Sequence, residues 1–367
     1  MLEVRLKKIQ KSLGANKIDA LLVSSSVNIH YLTGYSNFSK DEREAYLFIT
    51  KSNATLFTDP RYIEAVEKII PPDVKATIQR PVTKMLNRIV KRSKIKSASW
   101  RIGFENNLTF AEYQNFEKTV SAKLVLTNNI VENLRAVKDS LEIVAVKKAA
   151  KLTDDTFDFI RPLIKTGVTE GQIAHEIETY IRKYGGTLAF DSIVAFGPNS
   201  STPHHITSDR RLAKTDELIL LDFGAKVDGY CSDMTRTLLT KNSSDEAKKM
   251  YEAVLEAQKK AAQSTVANKK GNGANAAKMA NKVLVSHGFK PVPHSLGHGI
   301  GLEVHEEPHL HPKINDLKFS TGNYFSIEPG IYIPGFGGVR IEDDYLLTEQ
   351  KLEQITRSHK ELLEISI

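Results

Sequence analysis

The sequence predicts an α+β protein of two domains, a small N-terminal α/β domain over residues 1–131 and a larger domain over residues 132–367. Strand-like and helix-like stretches alternate through the first of these regions. A polar stretch, ENLRAVKDS at 132–140, then leads into a new helix. Beyond it the order helix, helix, hairpin occurs twice, with a period of roughly a hundred residues. This order predicts two similar halves that meet around one site.

The elements of the first domain follow from apolar periodicity. An amphipathic N-terminal helix places Leu2, Leu6, Ile9 and Leu13 on one side. Four short apolar runs predict strands, namely DALLVSS, YLFIT, ATLFT and KLVLT. Two longer stretches predict helices, namely RYIEAVEKII and TFAEYQNFEKTV.

Capping residues predict the helices of the second domain. Three helices begin where a Ser, Thr or Asp is followed three residues later by Glu or Gln. These pairs are Asp139–Glu142, Thr169–Gln172 and Ser243–Glu246. The first helix is predicted from Ser140 to Ile160, and glycines end the second helix at Gly185 and the fourth at Gly288. Each pair of helices is followed by strands, which are DSIVAF, ELILLDFGA and GYCSDMTRTLL in the first half and NYFSIEPGIYI and GGVRIEDDYLLT in the second.

Composition excludes several classes of protein. Hydrophobic residues make up 41% and charged residues 26% of the chain, as in ordinary globular proteins. The net charge of +7 is spread widely, and the densest basic run, KRSKIK at 91–96, has no interleaved aromatic residues, so no nucleic-acid partner is predicted. No apolar run is long enough to cross a membrane, and no membrane partner is predicted. A single cysteine, Cys231, cannot form an internal disulfide and favours a cytoplasmic location.

Two facing aspartates are predicted on the first hairpin. Its turn, AKVDGY, carries the Asp-Gly pair that is typical of tight hairpins. With the turn centred between Val227 and Asp228, Asp222 and Asp233 lie directly opposite on one face, about 5 Å apart. Two opposed carboxylates destabilise a sheet unless something neutralises them.

The second hairpin repeats this arrangement. Its turn, IPGFGG, is centred near Gly335 and places Glu328 opposite Glu342. Four facing carboxylates on two hairpins predict a site for divalent cations. Two ions are expected, because bridging oxygen ligands hold metals about 3.5–4 Å apart in hydrolytic sites.

Histidines lie close to these carboxylates in the sequence. The segment HSLGHGIGLEVHE contains His294, His298 and His305, and its three glycines oppose a helix. On an extended chain His294 and His298 face the same side about 13 Å apart, so we expect only one of them to be a metal ligand. His305 needs a bend to reach the same site, which glycine permits. His204 and His205 are consecutive, so only one of the two side chains can point toward the site.

These segments resemble a known family. LDFGAKVDGYCSDMTRT, HSLGHGIGLEVHE, SIEPGIY and GGVRIEDD resemble the signature segments of the "pita-bread" metallopeptidases, and PNSSTPHH resembles the segment that supplies another active-site histidine. VNIHYLTGYSN and LFTDPRY resemble the N-terminal domain of the proline-specific branch, aminopeptidase P and prolidase. The resemblance implies a creatinase-like N-terminal domain and a pita-bread catalytic domain whose repeat is pseudo-twofold.

The resemblance also implies roles for single residues. Five metal ligands are implied, namely Asp222, Asp233, His298, Glu328 and Glu342. Asp233 and Glu342 would bridge the two metals. His204, His294 and His305 would position substrate and stabilise the tetrahedral intermediate, and Arg340 would orient the carboxylates.

The implied activity is hydrolysis of the bond between a first residue and a following proline. Glu328 would transfer the proton. An oxygen-rich donor set favours Mn²⁺, with Co²⁺ or Zn²⁺ as alternatives. The expected partners are a peptide with proline at position 2 and a second copy of the chain.

Three alternatives to an Xaa-Pro aminopeptidase remain at this point. A prolidase would cut only Xaa-Pro dipeptides, and the sequence does not separate it from an aminopeptidase. A methionine aminopeptidase would share the five ligands but normally lacks the N-terminal domain. A metal-free binding protein of this fold would have substituted ligands, whereas all five are of the expected type here.

Overall fold

The computed structural model describes residues 1–78, 81–92, 99–213, 217–266, 272–314, 319–362 and 364–365. Residues 93–96 of the basic run lie outside this part of the chain. The chain divides into two compact units, Met1–Arg135 and Ala136–Ile367. Within the described residues, every helix is too short or too polar to cross a bilayer.

The first unit is built on one six-stranded mixed sheet with the strand order β4-β3-β2-β1-β5-β6. Its strands are β1 (Ala20–Val23), β2 (Tyr46–Thr50), β3 (Ala54–Thr58), β4 (Val74–Ile78), β5 (Arg101–Phe104) and β6 (Lys123–Leu126). Its helices are α1 (Leu2–Ala15), α2 (Ser26–Thr33), α3 (Ile63–Glu67), α4 (Val82–Arg92), α5 (Phe110–Thr119) and α6 (Glu132–Arg135).

The four strands and three helices predicted here are confirmed. In α1 the predicted apolar side is buried at Leu6, Ile9 and Leu13, while Leu2 is only partly buried. Periodicity did not predict α2, α4, β4 or β5. In β4, Val74 is the one buried residue, so the two-residue alternation is weak.

The second unit begins with two helices and with strands that belong to two sheets, of order β11-β10-β7 and β20-β12-β9-β8. These elements are α7 (Ser140–Ile160), α8 (Glu170–Lys183), β7 (Thr187–Leu188), β8 (Ile193–Phe196), β9 (Leu218–Phe223), β10 (Ala225–Val227), β11 (Tyr230–Cys231) and β12 (Met234–Thr240). The capping boxes predicted at Asp139 and Thr169 are both present. Apolar residues of α7 and α8 pack against β8, β9 and β12 in one core.

The second half repeats this order. Its elements are α9 (Asp245–Val266), α10 (Gly273–Ser286), β13 (Gly297–Gly299), β14 (Glu306–Leu310), β15 (Tyr324–Ile327), β16 (Gly330–Ile333), β17 (Gly337–Arg340), β18 (Asp343–Leu347), β19 (Leu352–Gln354) and β20 (Glu364–Ile365). A second core lies between its helices and strands. The predicted α+β fold with a repeated helix, helix, hairpin order is therefore confirmed.

The predicted start of α9 was wrong by one residue. The helix begins at Asp245, and the hydroxyl of Ser244 accepts the Ala247 N–H at 3.3 Å. Ser243 instead closes the turn after β12, because its N–H donates to the carbonyl of Thr240 at 2.9 Å. Ser244 therefore caps α9 in place of Ser243.

Candidate metal centre

The first hairpin positions two aspartates, although not in the predicted register. Asp222 on β9 pairs with Thr235 on β12, so Asp233 is a diagonal neighbour rather than the direct partner. The tight turn is centred between Asp228 and Gly229, whose φ values of 52° and 85° are both positive, as a type I′ turn requires. The register error is two residues, and an even shift leaves every side chain on its predicted face.

The second hairpin has the predicted register. Ile327 pairs with Asp343 on one side of the site, and Gly330 pairs with Arg340 on the other. Between these pairs, Glu328 and Glu342 lie opposite each other, as the sequence predicted.

The two hairpins are joined directly at the site. Thr235 Oγ1 donates to Glu342 Oε2 at 2.7 Å, and the Glu342 N–H donates to the Thr235 carbonyl at 3.1 Å. The fully buried Arg236 donates to the Glu342 carbonyl and to Asp343 Oδ1, both at 2.6 Å. The site therefore lies where the two halves meet, which is where the repeated order predicted it.

All five predicted ligands line one cavity of about 590 Å³. Asp233, His298 and Glu342 are buried and offer ligand atoms within 4.8 Å of one another. Nε2 of His298 lies 3.3 Å from Glu328 Oε1 and 3.7 Å from Asp233 Oδ2. Asp222 lines the same cavity, so the carboxylates of both hairpins converge on this imidazole.

Three carboxylate oxygens of this cluster fit a cation. Among the described residues, no donor reaches Asp222 Oδ1, Asp233 Oδ1 or Glu342 Oε1, although all three atoms are buried. A buried carboxylate oxygen without a hydrogen-bond donor is costly unless a cation or a proton compensates it. Burial raises the pKa of Asp233 and of Glu342 well above the usual values, and the neighbouring carboxylates raise both further.

His298 is oriented for metal binding by its backbone surroundings. Its Nδ1 lies 3.2 Å from the Gly299 carbonyl, which can only accept, so Nδ1 carries a proton and Nε2 is the nitrogen that faces the carboxylates and would bind a metal ion. Glycines bring its strand this close to its neighbours. A Cβ atom at Gly297 would lie 2.0 Å from the Ser326 carbonyl oxygen, and one at Gly299 would lie 2.0 Å from that of Glu307. The glycines thus admit neighbouring backbone on both sides of His298.

His204, His294 and His305 line the same cavity. The bend expected before His305 is present, because the pairing of β13 with β14 shifts register between His298 and Gly299. The rings of His305 and His298 lie 4.2 Å apart. Partial burial and the neighbouring His298 lower the pKa of His305 to about 4. The adjacent His205 points away from the cavity and binds Glu170.

Arg340 contacts one carboxylate and one residue that the sequence reasoning missed. Its Nη2 donates to Asp222 Oδ2, and its Nη1 donates to the hydroxyl of Tyr332 at 2.8 Å. Burial raises the pKa of Tyr332 to about 12, so the phenol stays protonated. Tyr332 follows Glu328 by four residues in EPGIY, and this even spacing was the available signal.

His309 is a second missed residue. It lines the cavity and pairs with His298 across β13 and β14. Directly paired residues share a face of the sheet, but this pairing depends on a strand order that one sequence does not reveal.

Comparison with known proteins identifies related chains. Residues 144–349 match the model of metallopeptidase family M24, and residues 5–137 match the creatinase/prolidase N-terminal domain. An Xaa-Pro dipeptidase of Pyrococcus furiosus is 33% identical over 98% of this chain and 99% of its own. A putative Xaa-Pro aminopeptidase of Mycoplasma pneumoniae is 35% identical over 95% and 96%. The solved Xaa-Pro dipeptidase from Bacillus anthracis superposes with a TM-score of 0.91 at 33% identity, covering 100% of both chains.

Proposed function

This chain belongs to metallopeptidase family M24, and on that premise we propose that it hydrolyses the bond between a first residue and a following proline. It is a metallo-exopeptidase with two domains, the second of which has the pita-bread fold. The observation that carries the proposal is the convergence of five potential ligands in one cavity, with three buried oxygens that no donor among the described residues reaches. The relatives named above act on, or are named for, Xaa-Pro substrates.

We propose the five residues of the sequence prediction as the metal ligands, with Asp233 and Glu342 shared between two ions. Divalent ions bound there would acidify a water molecule and polarise the scissile carbonyl. The set of four carboxylates and one imidazole favours Mn²⁺, with Co²⁺ or Zn²⁺ as alternatives.

The other residues have separate roles in the proposal. Glu328 accepts the proton of the attacking water and passes it to the leaving imino nitrogen. Burial would raise the pKa of Glu328, but the hydrogen bond with His298 and nearby positive charges lower it, so the carboxylate is ready to accept a proton. His305 donates to the developing oxyanion, because its ring is neutral and is held by no hydrogen-bond partner among the described residues.

His294 has a positioning role in the proposal rather than that of an oxyanion donor. Its Nδ1 lies 2.8 Å from the Ser295 carbonyl, and its Nε2 lies 3.0 Å from the Tyr332 hydroxyl. Both ring nitrogens are therefore engaged by the protein. The neutral ring forms part of the wall against which the substrate lies, and His204 contributes from the rim of the cavity.

Proline as the second residue explains why a dedicated enzyme is needed. Its amide nitrogen carries no hydrogen, and its ring fixes φ. A peptidase that binds its substrate through a hydrogen bond from that N–H therefore lacks this contact when the residue is proline. Full-length likeness extends to the dipeptidases of P. furiosus and B. anthracis and equally to the putative aminopeptidase of M. pneumoniae, so the length of the substrate is decided by experiment.

The deciding experiment compares Ala-Pro with Ala-Pro-Ala-Ala, each with added Mn²⁺ and with chelator. Cleavage of the dipeptide alone supports a dipeptidase, and cleavage of both supports an aminopeptidase. Cleavage of neither substrate by metal-loaded protein would contradict the proposed function.

Two finer points belong to the same proposal. Cys231 is the one cysteine of the sequence and is buried, so no internal disulfide can form, which suits the reducing cytoplasm. A homodimer is proposed on the family resemblance. A molar mass in solution of twice 41.0 kDa by light scattering would support it, and the mass of one chain would contradict it.

A further inference from the structure

The carboxylate of Glu170 binds one segment of the cavity wall through five hydrogen bonds. Glu170 is the first residue of α8 and is fully buried. Its Oε1 accepts from the Phe196 N–H at 2.8 Å and from Asn199 Nδ2 at 2.9 Å. Its Oε2 accepts from His205 Nε2 at 2.9 Å, from the Ser208 N–H at 3.0 Å and from the Ser208 hydroxyl. All five donors lie between residues 196 and 208.

This segment carries His204 and Pro203 into the cavity. The opposite side of the segment is held by β17, because Gly338 N–H donates to Ser200 Oγ at 2.8 Å and Arg340 Nη1 donates to the Pro203 carbonyl at 3.3 Å. The residues next to His204 on both sides are thus anchored, Pro203 to Arg340 and His205 to Glu170. His204 itself is exposed at the rim of the cavity.

Capping of α8 does not explain why a carboxylate is buried at Glu170. The helix is already capped by Thr169, whose hydroxyl accepts from Gln172 N–H at 3.1 Å while the Gln172 side chain accepts from the Thr169 N–H at 2.9 Å. Glu170 turns away from this capping box toward the segment. A fully buried charge destabilises a fold unless it is paired or hydrogen-bonded, and here all of the hydrogen bonds join the helix to the cavity wall.

We propose that Glu170 is a positioning residue that holds His204 at the cavity through His205 and Ser208. The inference rests on the proposed function, since it takes His204 to act on the bound peptide. A displacement of about 1 Å at such a position can lower a rate about 100-fold. Glu170 touches no cavity-lining metal ligand in the contacts described above, so its effect on catalysis passes through the segment.

A double-mutant cycle tests this. The variants are Glu170→Gln, His204→Ala and the double variant, with kcat and KM measured on Ala-Pro and metal content determined for each. Glutamine has nearly the same shape as glutamate, but its N–H₂ group would face hydrogen-bond donors in place of an accepting oxygen. We expect Glu170→Gln to lower kcat/KM about 10- to 100-fold with unchanged metal content. The double variant should match His204→Ala within about threefold, because residues that act through one another are not additive. Losses that multiply would overturn the proposal.

Glu105→Gln is the matched control. Glu105 is also a buried carboxylate, and it accepts the N–H groups of Ser24 and Ser25 and the amide of Asn28 in the first unit. The segment it holds carries no lining residue of the cavity, so kcat/KM should equal that of the wild type. If Glu170→Gln does not fold, Ser208→Ala removes one donor only and should show the same dependence on His204.

A readout other than activity separates this proposal from the proposed function. Hydrogen exchange of the amides between residues 199 and 208 should be faster in Glu170→Gln than in the wild type. Unchanged exchange there would overturn the positioning role, even if the wild-type protein cleaved no Xaa-Pro bond. Faster exchange in Glu170→Gln, together with a wild-type protein that cleaves no Xaa-Pro bond, would contradict the proposed function but not the positioning role.

Discussion

The hydroxyl of Tyr332 lies 3.0 Å from Nε2 of His294 and donates a hydrogen bond to that ring. Nδ1 of His294 faces the carbonyl of Ser295, which can only accept, so Nδ1 carries the proton and Nε2 accepts from Tyr332. Burial lowers the pKa of His294 and keeps the ring neutral. Arg340 donates to the same hydroxyl, so one chain of hydrogen bonds runs from Asp222 through Arg340 and Tyr332 to His294.

Tyr332→Phe should therefore loosen His294 without removing a metal ligand. Loss of a buried hydrogen bond costs about 1–2 kcal/mol, which corresponds to roughly a 10-fold lower kcat/KM on Ala-Pro. Steady-state kinetics and metal analysis on the same preparation measure both effects. Wild-type kinetics would show that the hydroxyl does not contribute.

Asp233→Ala and Glu342→Ala should each abolish turnover, because each removes a ligand proposed to bridge two ions. Metal content should fall from two ions per chain, as measured by plasma mass spectrometry after dialysis against Mn²⁺. Glu105→Gln serves as the control for a change at a buried carboxylate elsewhere. Near-normal turnover with two bound ions would contradict the bridging assignment.

His305→Ala should spare the metals but lower kcat about 10²- to 10³-fold, which is the usual loss when one oxyanion donor is removed.

His298→Ala should lose metal, because it removes the imidazole around which the carboxylates converge. His294→Ala should keep its metals and lower turnover through the lost wall of the cavity. If His305→Ala lost metal and His298→Ala did not, His305 would be the metal ligand and His298 the oxyanion donor.

Chelation should lower the thermal unfolding temperature. A ligand that binds only the folded state stabilises it in proportion to the logarithm of its concentration. Re-adding Mn²⁺ should restore the wild type but not Asp233→Ala, as followed by scanning calorimetry. An unfolding temperature unaffected by chelator would mean that these carboxylates hold no metal.

Glu105 should make stability depend on pH. Burial raises its pKa to about 7 from the ordinary 4.5, against hydrogen bonds from Ser25 and Asn28 that lower it. The folded state therefore binds the proton more tightly than the unfolded state. This contribution to stability is fully present below pH 4.5 and is lost as the pH rises to about 7. It amounts to on the order of 3 kcal/mol.

Glu105→Gln mimics the protonated form and should remove this dependence. The measurement is the difference in free energy of unfolding between wild type and variant from pH 4 to pH 8, by urea denaturation. The wild type should lose stability relative to the variant as the pH rises. A constant difference would contradict the raised pKa.

Local rules were sufficient for much of the fold and the site. The capping boxes at Asp139 and Thr169 depend only on residues three apart, and the structure contains both. The two-residue period of a strand placed Asp222 and Asp233 on one face even though the register was wrong by two. The correct register was also a local matter, since Asp228 and Gly229 are the two consecutive residues that a type I′ turn needs.

The sequence by itself thus determined the starts of α7 and α8, the two hairpins and the residue types of the candidate metal centre. Only the tertiary structure decided that Glu170 holds the segment of His204, that Tyr332 meets His294 and that His309 pairs with His298. The physical reason is the range of the interactions. Capping and turn formation act between neighbours in the chain, whereas these contacts depend on how separate helices and strands pack around a common core, and no local pattern encodes that packing.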